Sequence, residues 1–109
     1  MRTELTSDLT MNGITSLKGK PVYSFTVKTS HMGPRIEPGD TLFVDTSATG
    51  RTNSILVYRV NDVYVMGMPE RDSKARTSYL RQADGRRICI SDSDRIEYVG
   101  IVIEMRCKY

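Results

Sequence analysis

The sequence predicts a mainly β domain of short, mostly antiparallel strands, and three observations carry that prediction. Apolar and polar residues alternate over short runs. Turn-forming residues separate those runs. No stretch of ten or more residues carries a helical period.

Met1 to Lys20 differs from the rest, being rich in Thr, Ser, Asn and Gly with isolated leucines and no sustained periodicity. It reads as a linker or N-terminal arm spanning residues 1–20, with one short helical turn near Ser7-Asp8-Leu9. Gly19 and Pro21 close it, and the folded domain is expected over residues 21–109. Val22 to Thr29 alternates, placing Tyr23, Phe25 and Val27 on one face and Ser24, Thr26 and Lys28 on the other. A Gly- and Pro-dense stretch from Gly33 to Asp40 leads into a second strand, Thr41 to Asp45. Ile55 to Val60 and Val63 to Met68 form a hairpin around Asn61-Asp62, two residues that tolerate the positive φ angles of a tight turn. A further hairpin joins Thr77–Gln82 to Arg86–Ile90 through Ala83-Asp84-Gly85.

The last strand, Glu97 to Met105, is the most apolar segment. Strict alternation puts Val99, Ile101, Ile103 and Met105 on one face and Tyr98 and Val102 on the other, so both faces are expected to be covered. One cover would be the core and the other a subunit contact. Tyr98, Gly100, Val102 and Met105 are the candidate interface, with Gly100 allowing close approach of another backbone.

A chain of 109 residues is long enough for one modest core. The net charge of +3 is small and the arginines are scattered, with Arg86-Arg87 the only adjacent basic pair, which argues against a direct nucleic-acid interface. No apolar run approaches a membrane-spanning length and no secretory h-region follows Met1, so a soluble, cytoplasmic protein is expected. The cysteines Cys89 and Cys107 form no Cys-x-x-Cys pair and no His/Cys cluster has ligand spacing, so neither metal nor cofactor is expected. Cys89, between Ile88 and Ile90, reads as a small buried hydrophobe, and a disulfide is not expected in a reducing cytosol.

The segment from Val27 to Asp45 carries Met32, Pro34, Ile36, Gly39 and Asp40 at the spacing Met-x-Pro-x-Ile-x-x-Gly-Asp, followed by an apolar strand ending in Asp45. This resembles the C-terminal domain of the LexA and lambdoid phage repressor family, which has the LexA/signal-peptidase-like fold. The hairpin strand Val63 to Met68 and the closing Val99-Gly100-Ile101-Val102-Ile103 are similar to later family landmarks, so the resemblance spans roughly residues 20 to 105. It implies a complex of short, mostly antiparallel sheets. It also implies a serine that attacks a peptide bond and a buried lysine, held neutral by burial, that takes the serine's proton.

Both of those positions are substituted. His31 stands where the resemblance places the serine, and Met66 where it places the lysine. Sliding the register to use Ser30 as nucleophile would misplace Met32, Pro34, Gly39 and Asp40 together. Met66 is unbranched and lysine-like in length, so it fills the same slot without a buried charge. Lys28 and Lys74 are the other lysines considered as bases, and both read as solvated. The family's Ala-Gly or Cys-Gly cleavage bond is not found, since Gly13 follows Asn12 and Gly19 follows Lys18. His31 could be imagined in a triad with Ser30 and Asp40 or Asp45, but a lone histidine beside a turn is more often a hydrogen-bonded structural residue.

Three functional expectations follow. The first is a catalytically inactive assembly domain that forms dimers or higher oligomers and so strengthens operator binding by an attached N-terminal DNA-binding domain. An antirepressor protein is then a conceivable regulator, and residues 1–20 would be the linker. The second is a self-cleaving peptidase with an altered site built on Ser30 and His31. The third is a stand-alone module that binds a regulator or repressor in trans.

Overall fold

A computed structural model describes residues 7–47, 54–74, 77–90 and 95–107. Eight strands account for most of them: β1 (Leu9–Leu17), β2 (Lys20–Val27), β3 (Thr41–Asp45), β4 (Leu56–Val60), β5 (Val63–Asp72), β6 (Thr77–Arg81), β7 (Arg87–Ile90) and β8 (Ile96–Arg106). The described residues contain no helix, hence none long and apolar enough to cross a membrane. All the pairings are antiparallel, in the order β1-β2-β3-β8-β4-β5-β6-β7.

A further pairing between Leu9 of β1 and Tyr64 of β5 joins the two ends of the run β1-β2-β3-β8-β4-β5. The backbone N–H of Asp8 donates to the Tyr64 carbonyl at 2.9 Å beside it. Six strands therefore close on themselves at this one point, while the rest of β1 pairs with β2 alone. The far half of β5 extends beyond this closure and carries β6 and β7 as a hairpin extension.

Alternation along β4 and β5 divides the apolar side chains between two cores. Val57 and Met66 point into the closed ring with Leu9, Phe25, Val27, Met32, Ile36, Leu42 and Val44. Leu56, Val60 and Val65 point the other way, where Leu80 and Ile88 of the hairpin extension and Ile101 of β8 cover them. The expected turns are present. Asn61 and Asp62 have φ of 51° and 68°, and Gly85 has φ of 93°. β5 runs four residues past the expected Met68, through Pro69, because β6 pairs with it there.

Four expectations are corrected. Residues 7–20 are not simply an arm: Leu9–Leu17 is a strand, Asp8 and Leu9 are buried, and no helical turn forms at Ser7-Asp8-Leu9, while residues 1–6 of the expected arm lie outside the described residues. The periodicity is hidden because an extra residue, Asn12, bulges between Met11 and Gly13, after which Ile14 faces solvent. The two faces of β8 are also not those of strict alternation. Extra residues at Val99 and Ile103 shift the register against β4 and β3, so Val99, Val102 and Met105 pack on the first core while Ile101 joins the second.

The candidate interface fails as a single patch for the same reason. Of its four residues only Tyr98 is exposed; Gly100 is buried, and Val102 and Met105 are half-buried against the chain's own core. The close approach at Gly100 is to this chain's own β3, where an added Cβ would collide with the Asp45 carbonyl and come within 2.7 Å of Val44 Cγ1. Cys89 is exposed rather than buried, since Ile88 takes the inward position on β7 and the next side chain must face out. Both cysteines are free.

Candidate functional site

The loop between β2 and β3 carries the motif residues, and each has a structural task there. Met32 and Ile36 are buried in the first core, at the end of the ring where Thr41 pairs with Arg106. Pro34 is exposed and follows a cis peptide bond. Gly39 has φ of 98°, a backbone state that favours glycine, and its N–H donates to the Val27 carbonyl at 2.9 Å. Asp40 is buried, and its Oδ2 accepts the Glu37 N–H at 2.9 Å, closing the turn. The Asp40 carbonyl accepts the Val27 N–H at 2.8 Å, which joins the loop's two ends.

His31 and Met66 lie 35 positions apart in sequence yet meet at one carboxylate, that of Asp8. Asp8 is fully buried. Its Oδ1 accepts from Thr29 Oγ1 at 2.7 Å and from His31 Nδ1 at 2.8 Å. Its Oδ2 accepts from Gln82 Nε2 at 2.6 Å and, more distantly, from the Met66 backbone N–H at 3.4 Å. Gln82, itself buried, also donates to the Met66 carbonyl at 3.1 Å. The Asp84 N–H donates to the His31 carbonyl at 3.1 Å, tying the loop to the β6–β7 turn. Asp8 thus fastens four segments to one another: the start of β1, the β2–β3 loop, β5 and the end of β6.

This geometry fixes the chemistry available. A buried polar group is tolerated only when its hydrogen-bonding capacity is met, and here hydroxyl, imidazole, amide and backbone groups meet it. The His31 side chain is 16% exposed, so one edge of the ring reaches solvent while Nδ1 is committed to Asp8. A carboxylate behind an imidazole orients it, as in hydrolytic triads. Ser30 is exposed next to it, but no hydrogen bond joins Ser30 to His31 among the described residues. The imagined partners Asp40 and Asp45 are engaged elsewhere, Asp45 accepting from the Ser47 N–H and hydroxyl at 2.8 and 2.7 Å. Met66 is completely buried, its side chain in the first core. Lys28 and Lys74 are exposed.

Asp8 is the residue that sequence reasoning missed. Its partners lie at positions 29, 31, 66 and 82, so no local pattern around Ser7-Asp8-Leu9 announces it. No cluster of three or more His, Cys, Asp or Glu side chains suited to a metal occurs among the described residues.

The opposite end of the ring, beyond Asp45 and its partner Ile101, is an open groove of about 440 Å³. Tyr23, Tyr64 and Tyr98 line it with Arg59 and Glu97, which lie 3.7 Å apart. Tyr58 and Tyr98 meet edge to face at 5.3 Å. Burial pushes both phenols above their ordinary value of about 10, and for Tyr98 the neighbouring Tyr58 and Asp45 add to that. No family model, no curated protein and no solved structure matches the chain.

Proposed function

We propose that this chain is a non-cleaving assembly module of the LexA and phage repressor type, with a LexA/signal-peptidase-like fold and a vacated catalytic site. The observation that carries the reading is the meeting of His31 and Met66 at Asp8. His31, from the Met-to-Asp segment, and Met66, from the separate hairpin resemblance, both reach the Asp8 carboxylate, His31 by its ring Nδ1 and Met66 by its backbone N–H, and this supports the reading. The residues standing there now suit structure. Met66 fills a fully buried apolar slot, and His31 spends Nδ1 on a buried carboxylate.

The role that remains for such a domain is association with a second copy in the cytoplasm. Joining two modest DNA readers makes the second contact intramolecular and raises affinity by about 10²–10⁴-fold. Operator DNA would be reached only through an attached DNA-binding domain, and an antirepressor is a candidate regulator. The test is the mass in solution by sedimentation equilibrium at high micromolar concentration. A dimer or larger species supports the reading, and a strict monomer sinks it.

One observation favours a second reading, an altered hydrolase: the Asp8 carboxylate orients His31 beside the exposed Ser30. Incubation at alkaline pH with and without Ser30→Ala separates the two. Self-cleavage lost in the variant would favour the hydrolase.

A further inference from the structure

We infer that the outer half of β1, from Gly13 to Leu17, is an edge that pairs with the same strand of a second copy of this chain. The inference rests on the assembly reading and names the surface it would use. Closure of the ring engages β1 with β5 only at Leu9 and Asp8. Beyond the Asn12 bulge, β1 pairs with β2 on one side, and its other side pairs with no strand among the described residues.

The hairpin turn fixes which backbone groups face outward. Lys18 and Gly19, with φ of 50° and 81°, form a two-residue connection that makes Leu17 and Lys20 a hydrogen-bonded pair. Alternation then makes Thr15 and Val22 a second such pair, and leaves the N–H and C=O of Ile14 and Ser16 turned away from β2. Pro21, which has no N–H, sits opposite Ser16, where alternation calls for no donor to β1. These outward groups of Ile14 and Ser16 have the spacing of an antiparallel ladder, and a two-fold axis through Thr15 would set each against the other in the second copy.

Charge and exposure both point to a second copy as the occupant. β1 reads Leu-Thr-Met-Asn-Gly-Ile-Thr-Ser-Leu and is the one strand of the eight without a charged residue. A strand that meets its own copy across a two-fold axis sets like residues near each other, so a charge there would repel itself, and an uncharged strand does not. The terminal strand at the far end of the order, β7, carries Arg87, the kind of charge that blunts such pairing. Ile14 is 71% exposed, the most exposed large hydrophobic side chain among the described residues. It borders a shallow depression of about 220 Å³ formed with Pro21, Val22, Tyr23 and Thr46, in which an apolar side chain from the other copy can be covered.

The test compares Ile14→Lys and Ser16→Pro with Ile103→Lys by sedimentation equilibrium of the full chain, circular dichroism reporting whether each variant is folded. Ile103 is also exposed, at 45%, but lies on β8. The inference expects the dimer dissociation constant to rise at least tenfold for Ile14→Lys and for Ser16→Pro, and to stay within twofold for Ile103→Lys. A folded Ile14→Lys that dimerises like the wild type overturns the inference while leaving assembly intact. Dissociation by Ile103→Lys alone also overturns it, by moving the interface to β8. A monomeric wild type removes the assembly reading itself.

Discussion

Replacing Asp8 with alanine should destabilise the fold far more than its place near the start of the chain suggests. The substitution strips the acceptor from three short hydrogen bonds, to Gln82 at 2.6 Å, Thr29 at 2.7 Å and His31 at 2.8 Å, and from the longer one to the Met66 N–H. A buried donor left without a partner costs about 1–3 kcal/mol. Thr29 and His31 can turn to water, being only part-buried, so their loss is discounted. Gln82 keeps its bond to the Met66 carbonyl but loses the shorter one. The sum is about 3 kcal/mol, the upper end of the cost of one buried group left unsatisfied. A domain of this size has only about 5–15 kcal/mol of stability, so the loss is a large fraction. Urea unfolding followed by circular dichroism should show it as a midpoint lowered by about 2 M, taking a slope of about 1.5 kcal/mol per molar. A shift below about 0.5 M would mean that the carboxylate does not fasten β1 to the loop, β5 and Gln82, and the account of the site would fail.

Three further outcomes are expected. Met66→Lys introduces a cation into a fully buried slot and should cost several kcal/mol at neutral pH, whereas Met66→Leu should cost under about 1.5 kcal/mol. Burial lowers the lysine's folded pKa, so the unfolded state binds the extra proton and the variant should gain stability as pH rises toward about 10; unfolding curves across that range check the sign. Gly100→Ala should lose about 1–3 kcal/mol in urea, because the new methyl meets the Asp45 carbonyl and Val44 on a paired strand that cannot easily withdraw. Tyr58 has a raised folded pKa, so its contribution is complete below pH about 10 and falls as pH climbs through the folded value; Tyr58→Phe should therefore flatten the alkaline loss of stability, read alongside tyrosinate absorbance.

The parts of the fold that were legible are those set by neighbours in sequence. Thr41–Asp45 is a strand with the expected bounds, and Asn61-Asp62 and Gly85 adopt the positive φ angles that their residue types tolerate. The parts that were not legible turn on single extra residues. Asn12 breaks the alternation of β1 and made it read as a linker, and Val99 and Ile103 do the same within β8, where they redistribute the apolar residues between two cores. Of the residues around Asp8, the Met-to-Asp segment pointed to His31 and the loop residues Met32, Ile36, Gly39 and Asp40, and the hairpin resemblance to Met66. Neither could give Asp8, because a polar residue's burial depends on partners that only the closed ring assembles.

The central proposal, an assembly domain that no longer cuts, is tested most directly by the wild-type chain's mass at sedimentation equilibrium across the micromolar range. The account predicts a concentration-dependent approach to twice the 12.3 kDa chain mass or more. A single species of chain mass throughout that range would contradict it.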